Sequence, residues 1–355
     1  MRKGFEQELR AYNTSIKSYD DVEKLQEGRL SDSMEALLKK TAIAEDTPRQ
    51  TQREIFSVQI EKQEIMRELQ DEITGLDDPE YTSKRKTGTR LLVEDGDGFF
   101  VKRKGELHER VSLGDLMTDA DYGINYYLDE SMPRNIRKRY LIESAKSRLR
   151  ARANKQIIAN ESSSRYTDKT KAEAFEKIGK EKKDETEVHF GLIAEKMVRN
   201  FLTKLTWDFP ELSFDIEPVD IDRDMREKID FIVHVRSRHR GVKVDVPEDH
   251  NTGIQFTINT TPENLEHKHE QIEHAERAPN IDEVVLVSLP ASEFTSAYNE
   301  WNAYKTSGGP DRYWDVSTKE IIFRNVLAGV LPKEEIESSW QKIANAESEQ
   351  QAVAA

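Results

Sequence analysis

Lys228-Ile229-Asp230-Phe231-Ile232-Val233-His234-Val235 and, after a charged loop from Arg236 to Asn251, Gly253-Ile254-Gln255-Phe256-Thr257-Ile258-Asn259 are the two runs on which the fold turns. Both are rich in β-branched and aromatic residues, and each predicts a strand. Each also carries a polar group that its apolar neighbours must accommodate. Asp230 leads straight into Phe-Ile-Val-His-Val, so its carboxylate has to face water, a partner or a cation. Gln255 lies inside its run and needs hydrogen-bond partners wherever it is buried. Residues 255 and 257 are two apart on one strand and point to the same face.

Working outward, the helix predicted over 189–205 places Phe190, Ile193, Ala194, Met197, Phe201 and Leu205 on one face, with Glu195 near its edge. Leu212 to Ile216 alternates as a strand. Glu217, Asp220, Asp222 and Glu227 follow as acids on loops. On the other side, Pro262-Glu263-Asn264 opens a helix to about Glu276. Glu283 to Leu289 is apolar enough for an internal strand, and helices are expected over about Ser292–Lys305 and Ser317–Ala328. The order is helix, strand, strand, strand, helix, strand.

That order, with Gly191-Leu192-Ile193-Ala194-Glu195 in the helix, Ile229-Asp230-Phe231 in the second strand and Gln255-Phe256-Thr257 in the third, resembles the PD-(D/E)XK nuclease superfamily. The resemblance spans residues 187–331 and implies a restriction-endonuclease-like α/β domain with a mixed sheet of about four strands. It further implies a Mg²⁺ site, with Mn²⁺ as substitute, held by Glu195, Asp230 and Gln255. Such a cation polarises a phosphodiester and lowers the pKa of the attacking water. The family lysine is missing, because Thr257 stands in its place. Lys268 offers a substitute: it falls three residues after Leu265 and four before Ile272, on the border of the following helix's buried stripe. Glu195, Asp230, Gln255 and Lys268 are therefore the expected catalytic set. His267, His269 and His274 lie on that helix without an HExxH pattern, and His269 is expected at its inner border.

The N-terminal region reads as long helices over residues 1–80. Thr47-Pro48-Arg49-Gln50 starts a helix whose stripe runs through Ile55, Val58, Met66, Leu69 and Ile73, interrupted by Lys62. A weaker stripe over 5–41 suggests an antiparallel pair or coiled coil, open to a protein partner or self-association, or else two helices packed on a neighbouring domain. Residues 81–160 read as a small module of a β-hairpin, with an Asp-Gly turn near Asp95 to Gly98, and a helix from Pro133 to Ala159. From Arg134 to Lys155 that helix carries nine Lys or Arg against one acid, Glu143. Arg134, Arg137, Lys138, Lys146, Arg148 and Arg152 could follow nucleic-acid phosphates, or pair with the acidic N-terminal helices. A polar linker over 161–186 and a tail over 332–355, helical from Lys333 to Ala346 and then disordered, complete the division.

The chain has 355 residues, 34% charged and 36% hydrophobic, with a net charge of −14. It lacks cysteine, which excludes disulfides, thiolate metal sites and thiol nucleophiles. No apolar run is long enough for a membrane span and the start does not read as a secretory signal, so a cytoplasmic protein is expected. The fold class expected is multidomain α+β. The function expected is a metal-dependent nuclease acting on nucleic acid, DNA ahead of RNA. A catalytically inactive nuclease-like binding or scaffold protein is the alternative, and a purely helical adaptor stands behind it.

Overall fold

The computed structural model describes residues 49–77, 88, 90–96, 98–103, 106–160, 190–235, 250–274 and 280–354. The segment expected as a helix over 5–41 and the linker over 161–186 lie outside the described residues. The described chain is mixed α and β, with two four-stranded mixed sheets.

Helix α1, Arg49–Thr74, runs on through a short 3-10 turn, Gly75–Asp77. The hairpin appears as expected: β1, Arg90–Asp95, and β2, Gly98–Arg103, pair antiparallel around Gly96, whose φ is 61°. The sequence reading had no counterpart for two further strands, β3, Glu106–Val111, and β4, Tyr126–Leu128. They complete a sheet of order β3-β2-β1-β4, in which β4 runs parallel to β1. Between them sits α2, Leu113–Asp119, started by a capping box in which Ser112 and Asp115 exchange hydrogen bonds. The basic helix is α3, Arg134–Asn160. Its observed partner is α1: Leu69 and Ile73 pack against Ile142 and Ala145. Lys62, which interrupts the α1 stripe, is 3% exposed, and burial lowers its amine to about 8.

The second unit follows the predicted order with shifted boundaries. Helix α4, Phe190–Asp208, extends three residues past expectation. Strand β5, Phe214–Pro218, is followed by a helix where loop acids were expected: α5, Ile221–Glu227, capped by Asp220. The chain leaves α5 through Lys228 in the left-handed region (φ 54°) and enters β6, Phe231–Val235. Strand β7, His250–Thr257, starts earlier than expected. Then come α6, Pro262–His274; β8, Glu283–Ser288; α7, Ser292–Tyr304; α8, Val316–Leu327; and α9, Lys333–Ala354. The last of these runs to Ala354, past the Ala346 at which the expected helix ended.

The second sheet has the order β5-β6-β7-β8, with β5, β6 and β7 antiparallel and β8 parallel to β7. Phe214, Phe231, Val233, Val235, Ile254, Phe256 and Val287 share one buried cluster with Ala194, Met197, Phe201 and Leu205 of α4. Helix α4 therefore covers that sheet face, and strand alternation sends Glu217, Ile232, His234, Gln255 and Thr257 to the other.

The two units are packed together. Trp301 of α7 is buried in the core of the first sheet, beside Leu92, Tyr126 and Tyr140. Helix α2 lies against α4 at Gly114, where a Cβ would come within 2.6 Å of the Lys204 carbonyl oxygen. Only glycine permits that approach.

Candidate functional site

The β6–β7 register pairs Phe231 with Ile254 and Ile232 with Gly253. One step further back, Asp230 stands opposite Gln255. Two hydrogen bonds hold it there: Asp230 N donates to Ile254 O (2.8 Å), and Phe256 N donates to Asp230 Oδ2 (2.7 Å). The carboxylate thus replaces a backbone acceptor at the point where β6 begins. Gly253 is needed nearby, since a Cβ there would meet Ile229 Cδ1 at 2.7 Å.

Gln255 is 3% exposed, and its Oε1 has no hydrogen-bond partner among the described residues. An orphaned buried amide oxygen costs about 1–3 kcal/mol, so the position is expensive unless something donates to it or coordinates it. Thr257, where the resemblance led a lysine to be expected, is engaged: its Oγ1 accepts from Asn264 Nδ2 (3.3 Å) and from Asn259 N (3.2 Å).

Helix α6 lies on the Gln255 face, as the Asn264 contact requires. Its partly buried residues are Asn264, Leu265, Lys268, Gln271 and Ile272, while Glu266, His267, His269 and Glu270 are exposed. The inward stripe therefore has Lys268 at its centre. His269 is exposed rather than at the inner border, because it falls about 100° further round the helix. His267 Nε2 lies 2.9 Å from Gln271 Nε2. Since α6 joins two parallel strands, it returns antiparallel to β7. Four residues of helix advance roughly 6 Å, and two residues of strand roughly 6.6 Å. With Asn264 over Thr257, Lys268 comes level with Gln255.

Glu195 is partly exposed on α4, next to the fully buried Ala194. Its helix is in the layer across the sheet from Gln255. The backbone thus gathers Asp230, Gln255 and Lys268 on one side and sets Glu195 on the helix of the other. Among the described residues, no three His, Asp or Glu side chains are grouped as a metal site. The oxygen donors near Gln255 nonetheless suit a hard cation: one carboxylate and one amide carbonyl, for an ion that keeps several of its own waters.

The basic helix α3 spends much of its charge inside the chain. Arg137 is buried and donates to Leu76 O (2.8 Å). Arg148 meets Glu68 (3.2 Å), Arg152 meets Glu61 (2.6 Å), Lys146 meets Glu143 (2.6 Å) and Arg150 meets Asp121 (2.9 Å). Arg139 stacks 5.5 Å over the Trp207 ring. Arg134, exposed, and Lys138, partly buried, lie in the first turns.

A second polar cluster, which sequence reading missed, lies at the junction of the two units. Lys204 Nζ bridges Asp311 Oδ2 (2.5 Å) and Asp115 Oδ1 (3.2 Å). Tyr126 Oη and Gly308 N each donate to Asp119 at 2.5 Å, and Gly114 N donates to Asp208 (2.7 Å). Burial pushes Asp119 up to about 8 and Asp208 to about 6. Burial works against the Lys204 ammonium, but Asp311 and Asp115 hold it above the ordinary lysine value. A signal for Lys204 was available: it follows Phe201 by three and Met197 by seven, which puts it on the inward side of α4.

No family model, curated protein or solved structure matches this chain.

Proposed function

We propose that residues 190–331 are a PD-(D/E)XK-like nuclease domain whose phosphodiester-cleaving site is centred on Asp230, Gln255 and Lys268. The observation that carries this reading is the juxtaposition on one sheet face. Asp230 is held opposite an unsatisfied, buried Gln255, and Lys268 comes level with both from the helix above. The element order and the mixed sheet, antiparallel then parallel, support it.

Asp230 and the Gln255 amide oxygen would hold Mg²⁺ or Mn²⁺, whereas Glu195, the third ligand that the resemblance implies, belongs to the helix on the other side of the sheet. When bound, the cation polarises the phosphate and makes water more acidic. The Phe256 amide fixes Asp230 Oδ2, which orients the carboxylate as a ligand for the cation. Lys268 supplies the positive charge that Thr257 cannot, stabilising the negative charge that develops on the phosphate oxygens. Nucleic acid is the substrate class, with DNA ahead of RNA. Arg134, at the start of α3, is exposed to solvent, and much of the rest of that helix's charge is paired internally.

A second reading is supported by Thr257. Its hydroxyl is engaged by Asn264 and Asn259, and the strand has exchanged an ionisable pair for an amide and an alcohol. A nuclease-like module that binds without cutting fits that exchange.

The experiment is divalent-dependent cleavage of double- and single-stranded DNA and of RNA, with Mg²⁺ or Mn²⁺. It compares the parent with Asp230→Ala and Lys268→Ala. The nuclease reading expects at least about 100-fold loss in each variant. Absence of cleavage by the parent leaves the binding reading, and cleavage unaffected by Asp230→Ala rejects this site.

A further inference from the structure

Thr257 occupies the position where the resemblance calls for a lysine, and it belongs to a closed set of hydrogen bonds between the end of β7 and the first turn of α6. Asn264 Nδ2 donates to Thr257 Oγ1 (3.3 Å) and to Asn259 O (2.8 Å). Asn259 N donates to Thr257 Oγ1 (3.2 Å), Thr261 N to Asn259 Oδ1 (3.2 Å), and Asn264 N to Thr261 Oγ1 (3.4 Å). Meanwhile α6 lacks a deep apolar anchor. Every inward residue from Asn264 to Ile272 is only partly buried. A helix seated so shallowly is free to slide or roll unless something polar fixes it.

We infer that Thr257 and Asn264 form a positioning clip that sets the height and rotation of α6 over β7, and so delivers Lys268 to Asp230 and Gln255. This rests on the nuclease reading above. Asn264 and Lys268 are four apart and share a helix face, so whatever holds Asn264 over Thr257 also aims Lys268 at Gln255. A roll of one residue turns Lys268 roughly 100° away. A shift of about 1 Å at a reacting group can cost on the order of 100-fold in rate. The strand has thus exchanged a catalytic amine for the anchor of the helix that carries one.

The test uses the full chain with Thr257→Val, which keeps the shape and removes the hydroxyl, and Thr257→Ser, which keeps the hydroxyl. Two quantities are measured: amide hydrogen exchange over residues 262–268 without divalent ions, and kcat and KM for Mg²⁺-dependent cleavage of DNA. Expected for Thr257→Val is faster exchange in the first turns of α6, with β6 and β7 amides unchanged, and a kcat at least about tenfold lower at constant KM. Thr257→Ser restores both. Thr257→Lys placed in Lys268→Ala recovers cleavage, because the amine then returns to the strand over the same site. Unchanged exchange in Thr257→Val, unchanged kcat, or a Thr257→Ser variant as impaired as Thr257→Val overturns the clip. A parent protein that cuts nothing ends the nuclease reading and the positioning role together. The exchange data then still report whether the hydrogen bonds hold α6, so the two failures are separable.

Discussion

The junction around Lys204 and the sheet face around Gln255 are both buried polar regions, yet their polar groups are held differently. At the junction Lys204 pairs with Asp311 and Asp115, Arg312 pairs with Glu109 at 2.8 Å, and Asp119 is hydrogen-bonded to Tyr126 and Gly308, although Asp311 Oδ1 has no hydrogen-bond partner among the described residues. On the sheet face, Asp230 is tied to the backbone while the neighbouring Gln255 keeps an oxygen without a partner. Cross-braced charge in a dry interface holds parts together and specifies how they dock. An orphaned oxygen beside a fixed carboxylate does neither, and its cost is tolerable where a ligand supplies what the fold withholds. Under the proposed function the first region is architecture and the second is the site of chemistry.

Three changes break or sharpen this contrast. The largest effect is expected from Lys204→Met, which leaves the buried Asp311 without its ion pair and takes from Asp115 one of its two cationic neighbours, Arg312 being the other. Loss of about 3–5 kcal/mol is expected, read by denaturant unfolding. A loss below about 1 kcal/mol would mean that the junction does not hold the units together.

Asp119→Asn tests the same region through pH. In the unfolded chain Asp119 ionises near 3.8, whereas in the fold it keeps its proton up to about 8. Between those values unfolding releases a proton, so stability falls as pH rises, by at most about 1.4 kcal/mol per pH unit. Asp208, raised to about 6, contributes in the same direction at lower pH. Above about pH 6 the slope belongs mainly to Asp119, joined near pH 8 by the buried Lys62 amine, and the difference between parent and variant isolates Asp119. Asp119→Asn should flatten the stability profile there, and an unchanged slope would show that the Asp119 proton is not linked to folding.

The smallest stability effect, and the one with opposite sign, is expected from Gln255→Met. It removes an unsatisfied amide oxygen at nearly constant volume, so stability should hold or rise by about 1 kcal/mol. Binding of Mn²⁺ and cleavage should be lost together. A clear destabilisation would mean that Gln255 is satisfied after all and belongs with the junction as a structural group.

Much of the second unit was legible in the sequence because its signals are local. Apolar periodicity located α4, β6, β7, β8 and α7 to within a few residues. The 265, 268, 272 spacing identified the inward side of α6. Helix α5 was missed because its seven residues, Ile221–Glu227, carry five charges and too few apolar positions to show a period. Strand β4 was missed because three residues cannot establish alternation, and its place comes from pairing with β1. The pairing of α1 with α3 was weighed as one of two fates for the basic helix, since charge composition alone cannot tell an internal partner from a phosphate.

By itself the amino-acid order determined which segments become helix or strand, and which polar residues would have to be accommodated among apolar ones. Glu195, Asp230, Gln255 and Lys268 were singled out on those grounds together with the family resemblance. Only the tertiary structure decided their grouping. Strand register puts 230 opposite 255, the packing of α4 on the opposite sheet face puts Glu195 in the other layer, and the crossover through α6 brings Lys268 back along β7. The junction is likewise a tertiary product. Asp115, Asp119, Lys204, Asp208 and Asp311 are scattered over nearly two hundred positions and meet because Gly114 lets α2 approach α4 closely. Local periodicity follows from neighbouring residues, whereas a burial environment depends on which distant segment arrives to exclude the water.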